Sequence, residues 1–181
     1  SGSMHGDSIV QAKEAIQFAL RRLRPQDRFN IVRFASDNSA LFERARPAGA
    51  ANLARAKRFV DRLRADGGTE IAAVLRRVLD GRVELPRLRQ IILVTDGSVG
   101  NEAALFRRIR RGIGDSRLLT IGIGSAPNSY FMRKSAALGR GTFTHIRDPR
   151  DVAAVMQRLL LKLEYPVLTG ITAQYDGAAL P

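Results

Sequence analysis

Residues 90–97 read QIILVTDG, and this stretch decides the fold class. Four apolar residues in a row, Ile91 to Val94, predict a strand that is covered on both faces, as in the middle of a parallel sheet. The strand ends at the polar turn Asp96-Gly97. Outward from it, strand-like and helix-like stretches alternate along the chain. That alternation predicts an α/β fold in which helices cover a parallel sheet.

The periodicity of apolar residues places the individual elements. It predicts helices at about residues 8–24, 52–63, 71–79, 102–111, 128–138 and 148–163. Further strands are expected at 28–35, 118–123 and 142–146, with a short partner strand at 40–43, antiparallel at an edge. Ser8 and Gln11 have capping-box spacing, and Asn52, Asn101 and Asp148 are expected to cap later helices.

The end of the chain departs from this rhythm. After Pro166, the stretch Val167–Tyr175 alternates as a strand and leads to an Asp176-Gly177 turn. We therefore expect one domain at residues 1–164 and the start of a following β-rich segment, or a C-terminal strand, at residues 165–181.

Composition excludes several classes of protein. Hydrophobic residues make up 45% of the 181 residues and charged residues 26%, which fits one globular domain and neither a disordered nor a collagen-like chain. No apolar run approaches the roughly 20 residues of a membrane-spanning helix. The absence of cysteine excludes a disulfide framework and a thiolate zinc site.

The net charge of +13 allows two interpretations. The positive charge is nearly all arginine and is spread along the predicted helices, which favours an ordinary solvated basic surface. A polyanion-binding role for the arginine-rich helices is the alternative.

Three polar segments should meet at the carboxyl ends of the strands, where open α/β sheets bind ligands. They are Ser1-Gly2-Ser3 before the first helix, Gly67-Gly68-Thr69 before the third, and Asp96-Gly97-Ser98 after the central strand. Hydroxyl and carboxylate oxygens suit hard cations such as Mg²⁺, Ca²⁺ or Mn²⁺. A mostly neutral set of ligands leaves such a metal able to accept an acidic side chain from another protein.

These segments resemble the motifs of a known family. S-G-S-M at residues 1–4 is similar to the end of the D-x-S-x-S motif of von Willebrand factor A domains. Gly68-Thr69 resembles the threonine loop of that family, and residues 95–97 its aspartate loop. The resemblance covers about residues 1–164. Residues 95–102, 26–30 and 67–70 look closer still to the inter-alpha-trypsin inhibitor heavy chain branch and its bacterial relatives.

The resemblance implies a fold and a site. The fold would be doubly wound and Rossmann-like, with a mostly parallel sheet, one short antiparallel edge strand and helices on both faces. Ser1, Ser3, Thr69 and Asp96 would hold Mg²⁺, or Mn²⁺ or Ca²⁺, and a protein ligand would offer a carboxylate. The residues expected beside the ion are Asp66, Gly68, Gly97 and Ser98. A turn-forming role for Asp66 and a helix-entry role for Ser98 are equally open.

The sequence departs from the family motif at its start. That motif opens with an aspartate two positions before the first serine, at the end of a central first strand, and this chain begins at Ser1. We expect a truncated natural protein, with a tag remnant as the weaker alternative. A chain this short would bind metal weakly or not at all. A foreign strand, such as Val167–Tyr175 of the same or another copy, would fill the sheet and could form a strand-swapped oligomer.

An enzyme is the least favoured interpretation. His5, His145, Ser3 and Asp96 supply the residue types of a hydrolase, but no G-x-S-x-G elbow, dinucleotide loop or Walker lysine motif is present. The leading hypothesis is a metal-dependent protein-binding module and not an enzyme, with an extracellular or cell-envelope location favoured by the resemblance. A polyanion-binding module comes second, and a hydrolytic or chelatase-associated role comes last.

Overall fold

The computed structural model describes residues 4–36, 38–68, 70–79, 87–96 and 99–164. The helices within these ranges are α1 (Asp7–Arg22), α2 (Ala50–Asp61), α3 (Ile71–Val78), α4 (Glu102–Gly112), α5 (Ser129–Leu138) and α6 (Val152–Glu164). The strands are β1 (Arg28–Phe29), β2 (Val32–Phe34), β3 (Asn38–Ala40), β4 (Arg46–Pro47), β5 (Gln90–Thr95), β6 (Arg117–Ile123) and β7 (Phe143–Ile146). None of the helices described is long and apolar enough to span a bilayer.

Three strands form the parallel sheet that the sequence predicts. Their order is β5-β6-β7, and the register pairs Gln90 with Arg117 and Thr120 with Phe143. Two small antiparallel pairs, β1 with β4 and β2 with β3, lie beside it. The α/β fold class is therefore confirmed.

Helices cover both faces of the sheet. On one face, α1 and α6 pack against Leu119, Ile121 and Ile123 of β6. On the other face, α3, α4 and α5 enclose Leu93 and Leu118. A third cluster joins α2 to the end of α1 and to β1. The doubly wound arrangement with helices on both faces is confirmed.

The edge of β5 that faces away from β6 is where the first central strand, expected before Ser1, would pair. Among the described residues, β5 pairs as a strand only with β6, and β2 only with β3. The side chains of Ile91, Ile92 and Val94 are half-buried, although β5 is the strand expected at the centre of the sheet. Val167–Tyr175 lies outside the described residues, so a strand-swapped assembly stays a prediction.

Two predicted helix caps are wrong. The helix α1 begins at Asp7, after Gly6 turns the chain with a φ of 64°, so Ser8 is already helical and cannot cap it. Gln11 is buried against the core and does not complete a capping box. Asn52 lies inside α2, where its amide donates to the carbonyl of Pro47 at 2.9 Å. The caps at Asn101 and Asp148 are confirmed, the latter through a 3-10 turn, Pro149–Asp151, that leads into α6.

The predicted strand at 28–35 is divided into β1 and β2. Asn30 causes the break, because its side chain takes over main-chain hydrogen bonds. Its Oδ1 accepts from the N–H groups of Ile31 and Phe42, and its Nδ2 donates to the Phe42 carbonyl at 2.8 Å. The partner strand is antiparallel as predicted, but it lies at Asn38–Ala40 and not at 40–43.

Candidate metal centre

Asp96 leaves the sheet at the carboxyl end of β5, where the sequence places the site. Its main-chain carbonyl accepts from the N–H of Asn128 at 3.2 Å. The hydroxyl of Thr95, which is fully buried, donates to Oδ1 of Asp96 at 3.4 Å. Asp96 itself is half-buried, so part of its surface is exposed to solvent.

Asn128 ties together the loops that follow β5 and β6. Its Oδ1 accepts from the N–H of Phe131 at 3.0 Å and caps α5. Its Nδ2 donates to Oε1 of Glu102, at the start of α4, at 2.6 Å. From the sequence, Asn128 is predicted only as the beginning of a helix. The sequence around Asn128 is enough to predict its capping role. Its contacts to Asp96 and Glu102 join residues far apart in the chain, so no local sequence pattern predicts them.

Gly67, Gly68 and Glu70 of the predicted glycine turn lie against the end of β2. Ser36 Oγ accepts from the N–H of Gly68 at 2.7 Å, and the N–H of Glu70 donates to the Ala35 carbonyl at 3.0 Å. Gly67 has a φ of 66°, and a Cβ there would lie 2.6 Å from Ser36 Oγ. Glycine is therefore required for both conformation and space. Ser36 was not predicted as a site residue, and no sequence motif marks it.

The first loop approaches the same edge of the sheet. Met4 is buried in the cluster that contains Ile123, at the carboxyl end of β6, and Val152, at the start of α6. A Cβ on Gly124 would lie 3.0 Å from Ser8 Oγ, so the beginning of α1 lies against the end of β6. Met4 therefore anchors the segment that follows Ser3 at the carboxyl edge.

The residues flanking the second and third segments share one core cluster. Ile71, just after the glycine turn, and Leu93 of β5 belong to it, and Phe34 and Val99 pack against it. The residues that flank the second and third segments therefore pack together. The predicted residues that lie outside the described ones are Ser1, Ser3, Thr69, Gly97 and Ser98.

Asp66 and the histidines have other contacts. Asp66 Oδ1 lies 3.8 Å from the Arg33 guanidinium, in an ion pair in which Asp66 is exposed and Arg33 half-buried. His145 Nε2 lies 2.7 Å from the Gly124 carbonyl, which can only accept, so this nitrogen carries a proton. His5 is exposed. Within the described part of the chain, no three His, Cys, Asp or Glu residues are grouped as metal ligands.

Comparison with known proteins identifies the family. The family model of the von Willebrand factor type A domain matches residues 1–145. The chain belongs to the von Willebrand factor type A (VWA) domain family. A curated relative, the inter-alpha-trypsin inhibitor heavy chain 4 of Mus musculus, is 33% identical over 193 residues and matches 99% of this chain. The match covers 20% of that relative, so the chain spans about a fifth of its length.

Solved structures agree with this assignment. A von Willebrand factor type A structure from Catenulispora acidiphila is 30% identical, with a TM-score of 0.76, over 87% of this chain and 39% of that one. Two VWA neighbours share the fold at lower identity. Manganese-loaded Plasmodium vivax TRAP protein has a TM-score of 0.62 at 21% identity, covering 84% of this chain and 66% of that one. Proximal thread matrix protein 1 of the mussel byssus was solved with a zinc-occupied metal-ion-dependent adhesion site. It has a TM-score of 0.64 at 15% identity, covering 88% of this chain and 44% of that one.

Proposed function

We propose that this chain is a metal-ion-dependent protein-binding domain whose site lies at the carboxyl edge of the sheet. Ser1, Ser3 and Thr69 would supply hydroxyl ligands, and Asp96 the carboxylate. The observation that carries the proposal is the position of Asp96, fixed by Thr95 and Asn128 at the end of β5. The metal-loaded VWA neighbours lend support from the same fold.

The proposed ligands fit a hard divalent cation. All four donate through oxygen, and only Asp96 is charged, so a bound Mg²⁺ would retain positive charge and water ligands. The remaining positive charge would attract a carboxylate of the partner protein, which could replace one of the water ligands. With one carboxylate the affinity should be low, with Kd on the order of 10⁻³ M, because the number of charged ligands sets the affinity of oxygen sites.

We also propose that the domain binds without catalysing a reaction. VWA domains generally act as adhesion or protein-interaction modules. Thr95 and Asn128, which form the described hydrogen bonds with Asp96, are not bases at neutral pH. A turnover assay that showed hydrolysis lost on Asp96→Asn, with metal bound in the unmodified chain, would contradict this part.

Calorimetric titration with Mg²⁺ and Mn²⁺ tests the metal proposal. Weak saturable binding should disappear in Asp96→Ala and persist in the matched control Asp115→Ala, whose carboxylate follows α4 near the amino end of β6. A chain lengthened upstream by a strand ending in aspartate two positions before Ser1 should bind more tightly. If that longer chain binds no metal either, the proposal is wrong.

A basic helical surface supports a second candidate, polyanion binding. The exposed arginines of α3 and α4 form no ion pair with another described residue: Arg76, Arg77, Arg107, Arg108, Arg110 and Arg111. Binding through this surface should weaken steeply over a few-fold rise in salt and survive a chelator. Binding through the metal should be abolished by the chelator.

A further inference from the structure

A groove of about 370 Å³ runs along the outer edge of the sheet. Phe143, Thr144 and His145 of β7 line one side of it, and Arg158 and Lys162 of α6 the other. Successive side chains of a strand point to opposite faces. Three consecutive residues can therefore line one groove only if it follows the edge of the strand.

The main chain at this edge is open. Within the described ranges, β7 is paired only with β6. Thr120 donates to the Thr142 carbonyl and Gly124 to the Ile146 carbonyl, each at 3.1 Å. In a strand, successive residues direct their N–H and C=O groups to opposite sides. Since Thr142 and Ile146 face β6, the main-chain groups of Phe143 and His145 point away from β6 and into the groove. A strand lying there would find two donors and two acceptors.

The charge of the groove is positive. Arg158 and Lys162 are both exposed and lie one helical turn apart, so they project together. Arg133 lies over the Phe143 ring at 5.3 Å and adds a third cation beside the edge. The groove is lined by no carboxylate among the described residues. Such charge discourages two copies of the chain from pairing edge to edge and favours an acidic strand.

The floor of the groove is apolar. Leu159 is buried beneath Arg158 and Lys162, and the half-buried Val155 lies one turn before it. An extended segment that alternates acidic and apolar residues would meet cations with one set of side chains and this floor with the other.

We infer that the free edge of β7 is a docking site for an extended, acidic segment of a partner protein, which adds to the sheet as a further strand. Strand addition of this kind takes affinity from main-chain hydrogen bonds and specificity from alternate side chains. It requires no metal and is independent of the function proposed above.

The probe is a fluorescein-labelled, N-acetylated and C-amidated (Glu-Val)₄ peptide, titrated with the full chain in EDTA. Anisotropy should report saturable binding. Arg158→Glu/Lys162→Glu should weaken it about tenfold, because two exposed charge pairs become repulsive. The matched control Arg107→Glu/Arg111→Glu makes the same charge change on α4, at the same four-residue spacing, and should alter Kd by less than about twofold.

Amide hydrogen exchange by NMR tests the strand geometry. On binding, exchange should slow at Phe143 and His145, while Thr144 and Ile146, whose N–H groups face β6, should change little. Binding without protection at Phe143 and His145 would overturn the inference and leave only a charge contact. An equal loss of peptide affinity in the α4 control would mean that the peptide binds the basic surface in general, which would also overturn the inference. Protection at both amides before peptide is added would mean that the edge is already occupied, which also refutes it.

Discussion

Replacing Asn128 with alanine should destabilise the fold more than an ordinary surface substitution. Two side-chain interactions are lost: the cap on the Phe131 N–H at 3.0 Å and the bond to the Glu102 carboxylate at 2.6 Å. Loss of an N-cap costs about 1 kcal/mol. The amide-to-carboxylate bond contributes about 1 kcal/mol more, at the low end for charged groups because both residues are half-exposed. The expected total of about 2 kcal/mol would lower Tm by about 6 °C.

Urea unfolding followed by circular dichroism measures this loss, with variants that separate the two interactions. Asn128→Ser keeps a capping oxygen but cannot reach Glu102, and should cost about 1 kcal/mol. Asn101→Gly removes the exposed cap on Ala104, at 3.4 Å, where Asn101 has a φ of 52° that glycine tolerates, and should cost less than about 0.5 kcal/mol. If Asn128→Ala cost no more than Asn101→Gly, Asn128 would not join the two loops as described.

Further predictions concern the core, a pKa and the turn beside the site. Gly141→Ala would drive a Cβ into the Leu118 carbonyl, whereas a Cβ on Gly100 meets nothing within 4 Å. In thermal unfolding, Gly141→Ala should lower the free energy of unfolding by about 2 kcal/mol or more, and Gly100→Ala should leave it almost unchanged. The side chain of Arg150, and then its main-chain N–H, lower the pKa of Asp148 to about 2. The stabilisation from this pair is therefore complete above the ordinary pKa of 3.8 and is lost as the pH falls towards 2. In an NMR titration, Arg150→Ala should move the Asp148 midpoint part of the way towards 3.8, and an unchanged midpoint would refute the assigned cause. Ser36→Ala should expose the Gly68 amide to faster hydrogen exchange, and unchanged exchange there would argue against the contact.

The sequence predicted the architecture well because its signal is local and periodic. The continuous apolar run at 91–94 marked a strand, and the 3.6-residue spacing marked the helices that cover it. Asn101 and Asp148 were predicted as caps because each directly precedes a helical pattern. The loops of the candidate site were predicted from their places at the strand ends and from motif order, and the described residues Ile71 and Val99, which flank two of them, pack in or against one core cluster.

Other features depend on contacts between residues far apart in the chain. Asn30 divides the predicted strand because its side chain accepts from the N–H of Phe42, twelve residues later, and donates to the Phe42 carbonyl. The cap of α1 was misplaced for a local reason, because Gly6 has a positive φ and takes the cap position two residues before Ser8. Ser36 and Gly68 are 32 residues apart, so no local pattern joins them. At Asn30 and Ser36, tertiary contacts override or escape the local pattern.

Paramagnetic line broadening by Mn²⁺ tests the central claim most directly, because it detects weak binding and locates it. In ¹H–¹⁵N spectra of the full chain, sub-stoichiometric Mn²⁺ should first broaden the amides of Met4, Gly68 and Asp96. The amide of Asp115, after α4, should remain sharp. Asp96→Asn should abolish the effect and Asp115→Asn should leave it intact. Broadening that begins elsewhere, or that survives Asp96→Asn unchanged, would contradict a metal site at the carboxyl edge of the sheet.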